Sequence, residues 1–213
     1  MTDQENDILW KSYFYPGTNV LKNNLNIKDY NKLKEADATL VFEKLLKLRE
    51  HPLDMENDKD KLNALHNYLF CDIYPFAGEY RKVNMIKRRG TFLFINDVKD
   101  IDYSLDKLFN ETDNMLKSCH NKDDFSNVLA KLYTSLIYIH PYREGNGRVV
   151  REFLREYSLE KSVKIGIGQM ELDWSLIDRD ELDEFIDVVH LFPYSVSSLF
   201  DSALVLASDS KNK

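Results

Sequence analysis

Residues 125–153 read FSNVLAKLYTSLIYIHPYREGNGRVVREF, and the reading of this stretch decides the fold. Phe125, Val128, Leu129, Leu132, Leu136 and Ile139 recur every three or four residues. That spacing predicts a helix apolar enough to lie at the centre of the molecule. Pro141 lacks a backbone N–H and disfavours helical geometry in the residue before it, so the helix stops near His140. A second helix begins near Gly147 and runs to about Leu159, burying Val150, Phe153, Leu154 and Tyr157. The outcome is a helix-loop-helix whose loop lies on the N-terminus of the second helix.

Further out, helical spacing covers Ala36 to Glu50, Asp60 to Ile73 (closed by Pro75) and Leu105 to Leu116. Asp178 followed by Glu181 reads as an N-cap opening a helix to about Val189, and Ser195 to Ala207 as a last short helix. Between Arg81 and Ile95 the pattern changes: Val83, Met85, Phe92 and Phe94 alternate around the basic tip Lys87-Arg88-Arg89-Gly90. This predicts a β-hairpin with unpaired edges, able to accept an extended peptide. The expected fold class is mainly α: a helical bundle around a central helix-loop-helix with a small β-hairpin flap. Residues 1–12 are expected to be a flexible N-terminus, and 13–213 one domain with a C-terminal helical extension.

The chain has 213 residues, only 7 glycines and 5 prolines, and 43% hydrophobic content, which suits a helical protein with a sizeable core. A formal net charge of −7 argues against broad nucleic-acid binding, which needs a basic surface. Cys71 and Cys119 show no metal-ligand spacing and are expected to be buried free thiols. No secretory signal pattern opens the sequence, and no apolar run reaches the roughly 18 residues of a membrane span, so a cytoplasmic setting is the expectation.

The loop itself carries chemistry. A helix N-terminus presents free N–H groups and a positive dipole end, which together attract an anion. Gly145 and Gly147 permit backbone conformations that expose those groups, with Asn146 as a further side-chain donor. Arg148 and Arg151 project from neighbouring faces of the first turns, and guanidinium groups fit phosphate oxygens. Glu144 among these cations suits Mg²⁺, which takes one or two carboxylates plus phosphate oxygens. His140 has a ring that titrates near neutrality and can deprotonate a hydroxyl. Such a set suits chemistry on a nucleotide triphosphate. Tyr142 reads as a core anchor for the loop. The duller reading, a surface ion-pair cluster beside a common turn, fits each residue alone and fits the conjunction poorly.

His140 through Arg151 resembles the signature of the Fic-domain family, His-x-Phe-x-(Asp/Glu)-Gly-Asn-Gly-Arg-x-x-Arg, with Tyr142 in place of Phe. The resemblance extends to Leu65-His66, to Ile73-Tyr74-Pro75-Phe76-Ala77-Gly78-Glu79-Tyr80-Arg81, and to Tyr15-Pro16-Gly17-Thr18-Asn19-Val20-Leu21-Lys22-Asn23, covering about residues 13 to 190. It implies transfer of AMP from ATP to a target hydroxyl. By position, His140 would be the general base, Glu144 the Mg²⁺ ligand, Gly145 to Gly147 the anion hole, and Arg148 and Arg151 the outer-phosphate clamp. The flap, with Val83, Met85, Lys87, Phe92 and Phe94, would hold the target protein. One branch of the family transfers the γ-phosphate instead, with Lys where this chain has Gly147, so nucleotidyl transfer is favoured. Other nucleotide donors, or a non-catalytic nucleotide-binding or protein-interaction module, remain the alternatives.

The family is often restrained by a helix bearing Ser/Thr-x-x-x-Glu-Gly/Asn, whose Glu pairs with the second arginine. Thr39 to Glu43 and Ser197 to Asp201 each match only in part. The expectation is therefore a separate small antitoxin-like partner presenting a Glu to Arg151, as in a bacterial toxin–antitoxin pair, with no restraint, or weak restraint by Ser197 to Asp201, as the alternatives.

Overall fold

The computed structural model describes residues 1–85, 87–89, 92–94, 97–188 and 196–210. Helix α5 (Lys122–Ile139) runs through the core, with Phe125, Leu129, Leu132 and Leu136 completely enclosed. Its first turn is capped by Asn121, whose side chain accepts from the Asp124 N–H. Around it pack α4 (Ile101–Lys117), α6 (Asn146–Lys164) and α8 (Ser197–Ala203). Helices α2 (Tyr30–Glu50) and α3 (Lys59–Phe70) lean on one another, and α3 packs on α6. The expected mainly α class holds.

Three segments differ from the expectation. The N-terminus is not loose: α1 (Asp3–Ser12) is a capped helix. The Thr2 hydroxyl accepts from the Glu5 N–H at 3.2 Å, and Glu5 accepts from the Thr2 N–H at 2.7 Å. This reciprocal capping box satisfies two otherwise orphaned donors. Helix α2 begins six residues earlier than Ala36, at Tyr30 behind the Asp29 cap. The third departure is a second small sheet in which β3 (Met170–Leu172) pairs antiparallel with β4 (Leu204–Leu206) after the turn at Gly166 and Gly168. The Ser158 and Ser162 hydroxyls, one turn apart on α6, accept from the Leu172 and Met170 N–H groups and seat β3 on that helix.

The hairpin forms as β1 (Lys87–Arg89) against β2 (Phe92–Phe94), antiparallel, with Arg88 opposite Leu93. The far end of the expected hairpin, Ile95, and the side chains of Lys87, Phe92 and Phe94 lie outside the described residues. Val83 and Met85 precede β1, and Val83 is fully buried, so it belongs to the hairpin's neck rather than to a docking strand. Helix α7 (Arg179–Val188) opens as expected, with Asp178 accepting from the Asp180 and Glu181 N–H groups. Its expected end at Val189 and the expected start at Ser195 lie outside the described residues. Cys119 is a buried free thiol, whereas Cys71 is exposed, contrary to expectation. Among the described residues no helix is long and apolar enough to cross a membrane.

Candidate active site

The loop between α5 and α6 is held from four sides. His140 ends α5 in the left-handed region at φ 48°, its N–H still bonded to the Leu136 carbonyl. The buried Arg81 guanidinium donates to the His140 carbonyl at 2.9 Å and to the Val83 carbonyl at 2.6 Å, and the Arg81 N–H donates to the Pro141 carbonyl. One side chain thus ties the imidazole-bearing residue to the neck of the hairpin. Five residues later Gly145 turns at φ 81°, and a Cβ there would stand 2.4 Å from the Phe70 ring. Only glycine fits both the dihedral and the contact.

Tyr142 is a core anchor, as read from the sequence. It is fully buried, stacks on His66 with centroids 3.8 Å apart, and donates to the Asn63 side-chain oxygen at 2.6 Å. His66 is locked as a neutral ring: its Nδ1 accepts from the Gly78 N–H at 2.8 Å. The proton therefore sits on Nε2, which donates to the Glu144 carbonyl at 2.9 Å. Burial first, with the Arg148 charge behind it, lowers the ring's pKa to about 4.

Asn146 is engaged within the loop. Its side chain accepts from the Tyr142 N–H at 2.9 Å and donates to the Tyr142 carbonyl at 2.7 Å, so it stitches the loop closed. The first amides of α6 have no acceptor within a preceding helical turn. The Gly145 N–H meets a Glu144 carboxylate oxygen at 3.0 Å.

The two arginines separate in function. Arg148 lies over the Phe70 ring at 4.7 Å and forms a two-pronged ion pair with Asp37 on α2, its Nη2 being 3.1 Å from Oδ2. Asp37 is buried and also accepts from the Tyr74 hydroxyl at 2.8 Å. Sequence reasoning missed this partner, although a carboxylate one turn from both Leu33 and Val41 on a core-facing helix was a legible signal. Arg151 is half-buried, with no carboxylate paired to its guanidinium among the described residues. Burial lowers its pKa, and the charges of Arg179 and Arg148 add to that effect against Tyr133. A Cβ on Gly147 would stand 3.3 Å from Arg151 Nη1, so this cation adjoins the glycine turn. Arg179, at the start of α7, was not anticipated from sequence.

Glu144 is a single, substantially exposed carboxylate, and no cluster of three His, Cys, Asp or Glu side chains forms a metal cage among the described residues. That donor set fits Mg²⁺ held jointly with phosphate oxygens and does not fit a structural zinc. Neither inhibitory-type segment reaches Arg151. Asp201 accepts from Ser126 at 3.3 Å and lies 3.8 Å from Lys122, at the opposite end of α5 from His140, and Glu43 is exposed on α2.

The Fic/DOC family profile matches residues 56–158. A Sinorhizobium fredii protein named "Probable protein adenylyltransferase y4lH" is 34% identical over 142 residues, covering 66% of this chain and 71% of that protein. The chain belongs to the Fic/DOC family. A Bartonella schoenbuchensis protein adenylyltransferase, VbhT, is 26% identical over 174 residues; the match covers 80% of this chain and 34% of that protein's length. The fold is shared with the BepC effector protein of Bartonella tribocorum, solved with bound AMPPNP. The TM-score is 0.75 and the identity 24%, with 92% of this chain and 97% of that chain covered.

Proposed function

We propose that this Fic chain transfers AMP from ATP to a Ser, Thr or Tyr hydroxyl of a target protein, releasing pyrophosphate. The observation that carries the reading is Arg151. A half-buried guanidinium with no carboxylate partner among the described residues, lying near two other arginines and against Gly147, is a costly arrangement unless a polyanion is bound there. A triphosphate supplies that charge, and the free amides at the start of α6 suit its inner phosphate. The relatives named as protein adenylyltransferases support the same reaction.

In this reading His140 takes the proton of the target hydroxyl as its oxygen attacks the α-phosphorus and the bond to pyrophosphate breaks. Arg148 and Arg151 hold the outer phosphates as charge builds on the leaving group. Mg²⁺, held by Glu144 with phosphate oxygens, supplies further charge neutralisation when bound. The two-stranded hairpin offers an outer edge to which an extended target segment adds by strand pairing. Since neither Glu43 nor Asp201 reaches Arg151, restraint falls to a separate antitoxin-like protein bringing a carboxylate to that arginine, in a bacterial cytoplasmic toxin–antitoxin pair.

The test is incubation of the purified chain with a bacterial lysate and either α- or γ-labelled ATP. Transfer of the α-label to protein supports the proposal. Transfer of the γ-label alone means a kinase, and no transfer of either means a binding module.

A further inference from the structure

Helix α1 and the residues just after it touch two parts of the site, the neck of the hairpin and the loop after α5. Asn6 faces the neck of the hairpin. Its carboxamide oxygen accepts from the Asn84 N–H at 2.7 Å and its amide donates to the Asn84 carbonyl at 3.2 Å. This two-bond exchange imitates a strand partner for residue 84. The Asn84 side chain in turn accepts from the Val98 N–H at 2.8 Å, so the residue that Asn6 grips also ties together the two limbs of the neck. A second grip follows α1 directly: the Tyr13 hydroxyl accepts from the Lys82 N–H at 3.1 Å.

The other face of the same segment holds the catalytic loop. The buried Arg143 guanidinium lies over Trp10 at 4.2 Å, Phe14 at 5.2 Å and Tyr13 at 5.5 Å. Three aromatic faces around one guanidinium give a favourable, directional contact. Tyr13 belongs to both grips, and it packs edge-on against Phe76 at 5.3 Å. Residues 6 to 14 therefore bridge the loop that carries His140 and the neck that carries the hairpin.

We propose that α1 is a brace that sets the position of the hairpin edge relative to His140, and that Asn6 is a positioning residue for target affinity. This rests on the adenylyl-transfer reading above. The physical argument is one of entropy. A hairpin edge that must first be ordered binds its strand partner more weakly than one already in place. Asn6 touches neither the glycine turn nor the arginines, so loosening it changes how a target is held rather than how ATP is held.

The test compares Asn6→Ala and Asn6→Asp with the unaltered chain. Asn6→Asp keeps the acceptor for the Asn84 N–H but sets a carboxylate against the Asn84 carbonyl. Two readings are taken. Initial rates of AMP transfer from α-labelled ATP are measured against lysate protein concentration, following the strongest labelled band. Backbone amide exchange at Asn84 and Val98 is followed in the purified chain without acceptor. Both variants are expected to raise the half-saturating lysate concentration about five- to tenfold. The maximal rate and Mg-ATP affinity stay unchanged, and exchange at the two amides quickens. An unchanged half-saturating concentration overturns the proposal, as does a fall in maximal rate alone. If the unaltered chain transfers no AMP, the adenylyl-transfer reading fails, and the exchange comparison still judges the brace: unaltered protection at Asn84 and Val98 overturns it.

Discussion

Asp37 and Arg148 join α2 to the first turn of α6 through a two-pronged ion pair, 111 positions apart in the chain. The guanidinium so held lies over Phe70, the ring that also walls Gly145. In the proposed reaction, Arg148 would be aimed before a phosphate arrives. Pre-aiming matters because an arginine that must abandon a solvent-exposed rotamer loses affinity to ordering.

Asp37→Ala removes the carboxylate from Arg148 and the acceptor from the Tyr74 hydroxyl together. Because Arg148 is partly exposed, the cost is below that of breaking a fully buried pair: about 2 kcal/mol of stability. A shifted urea midpoint with an unchanged slope would show it. In the transfer assay the KM for ATP rises more than kcat falls. Asp37→Glu, which keeps the charge on a longer stem, recovers part of both.

His140→Ala leaves the pocket's cations, amides and Glu144 in place and removes the proposed base. Mg-ATP binding by calorimetry should match that of the unaltered chain, while AMP transfer falls by ~10²–10⁴. Full transfer by this variant would remove His140 from the chemistry.

Gly145→Ala tests the turn. The residue sits at φ 81°, and its added methyl would meet Phe70 Cζ at 2.4 Å. Left-handed strain and overpacking together cost about 3 kcal/mol. The turn can relax only by moving the amides proposed to face the phosphate. Thermal unfolding should fall by several degrees, and Mg-ATP affinity should fall with it. A variant of normal stability and affinity would show that the turn is not the anion site.

The candidate site could be read from the sequence because its parts are contiguous. One periodic helix, a proline stop and a Gly-Asn-Gly turn place His140, Glu144, Arg148 and Arg151 together with little help from the rest of the chain. What was missed comes from sequence-distant partners: Asp37 on Arg148, Arg81 on the His140 carbonyl, and α1 on Arg143. The two bonds between the Asn146 side chain and Tyr142 were not foreseen for a similar reason, since a side chain's bonding depends on which way the loop closes. Helix α1 was misjudged on composition, although Thr2-Asp3-Gln4-Glu5 spells a capping box. The β3–β4 pair is three residues a side, too short for alternation to stand out from the flanking helices.

His66 makes the loop sensitive to acid. In the folded chain burial holds its pKa at about 4, against 6.5 for a free ring. Below about pH 6.5 the unfolded chain therefore takes up a proton that the folded chain refuses. The stability tied to this ring is fully present above that pH and is lost as the pH falls toward 4, up to about 3 kcal/mol. A protonated ring would carry a hydrogen on Nδ1, where the Gly78 N–H now donates, so protonation and the loop's present geometry exclude one another. Imidazole NMR should show His66 neutral at pH 5, with Nε2 protonated. Urea midpoints should drop between pH 6.5 and 4.5. A His66 resonance that titrates near 6.5 in the folded protein would mean the ring is not held between Gly78 and Glu144.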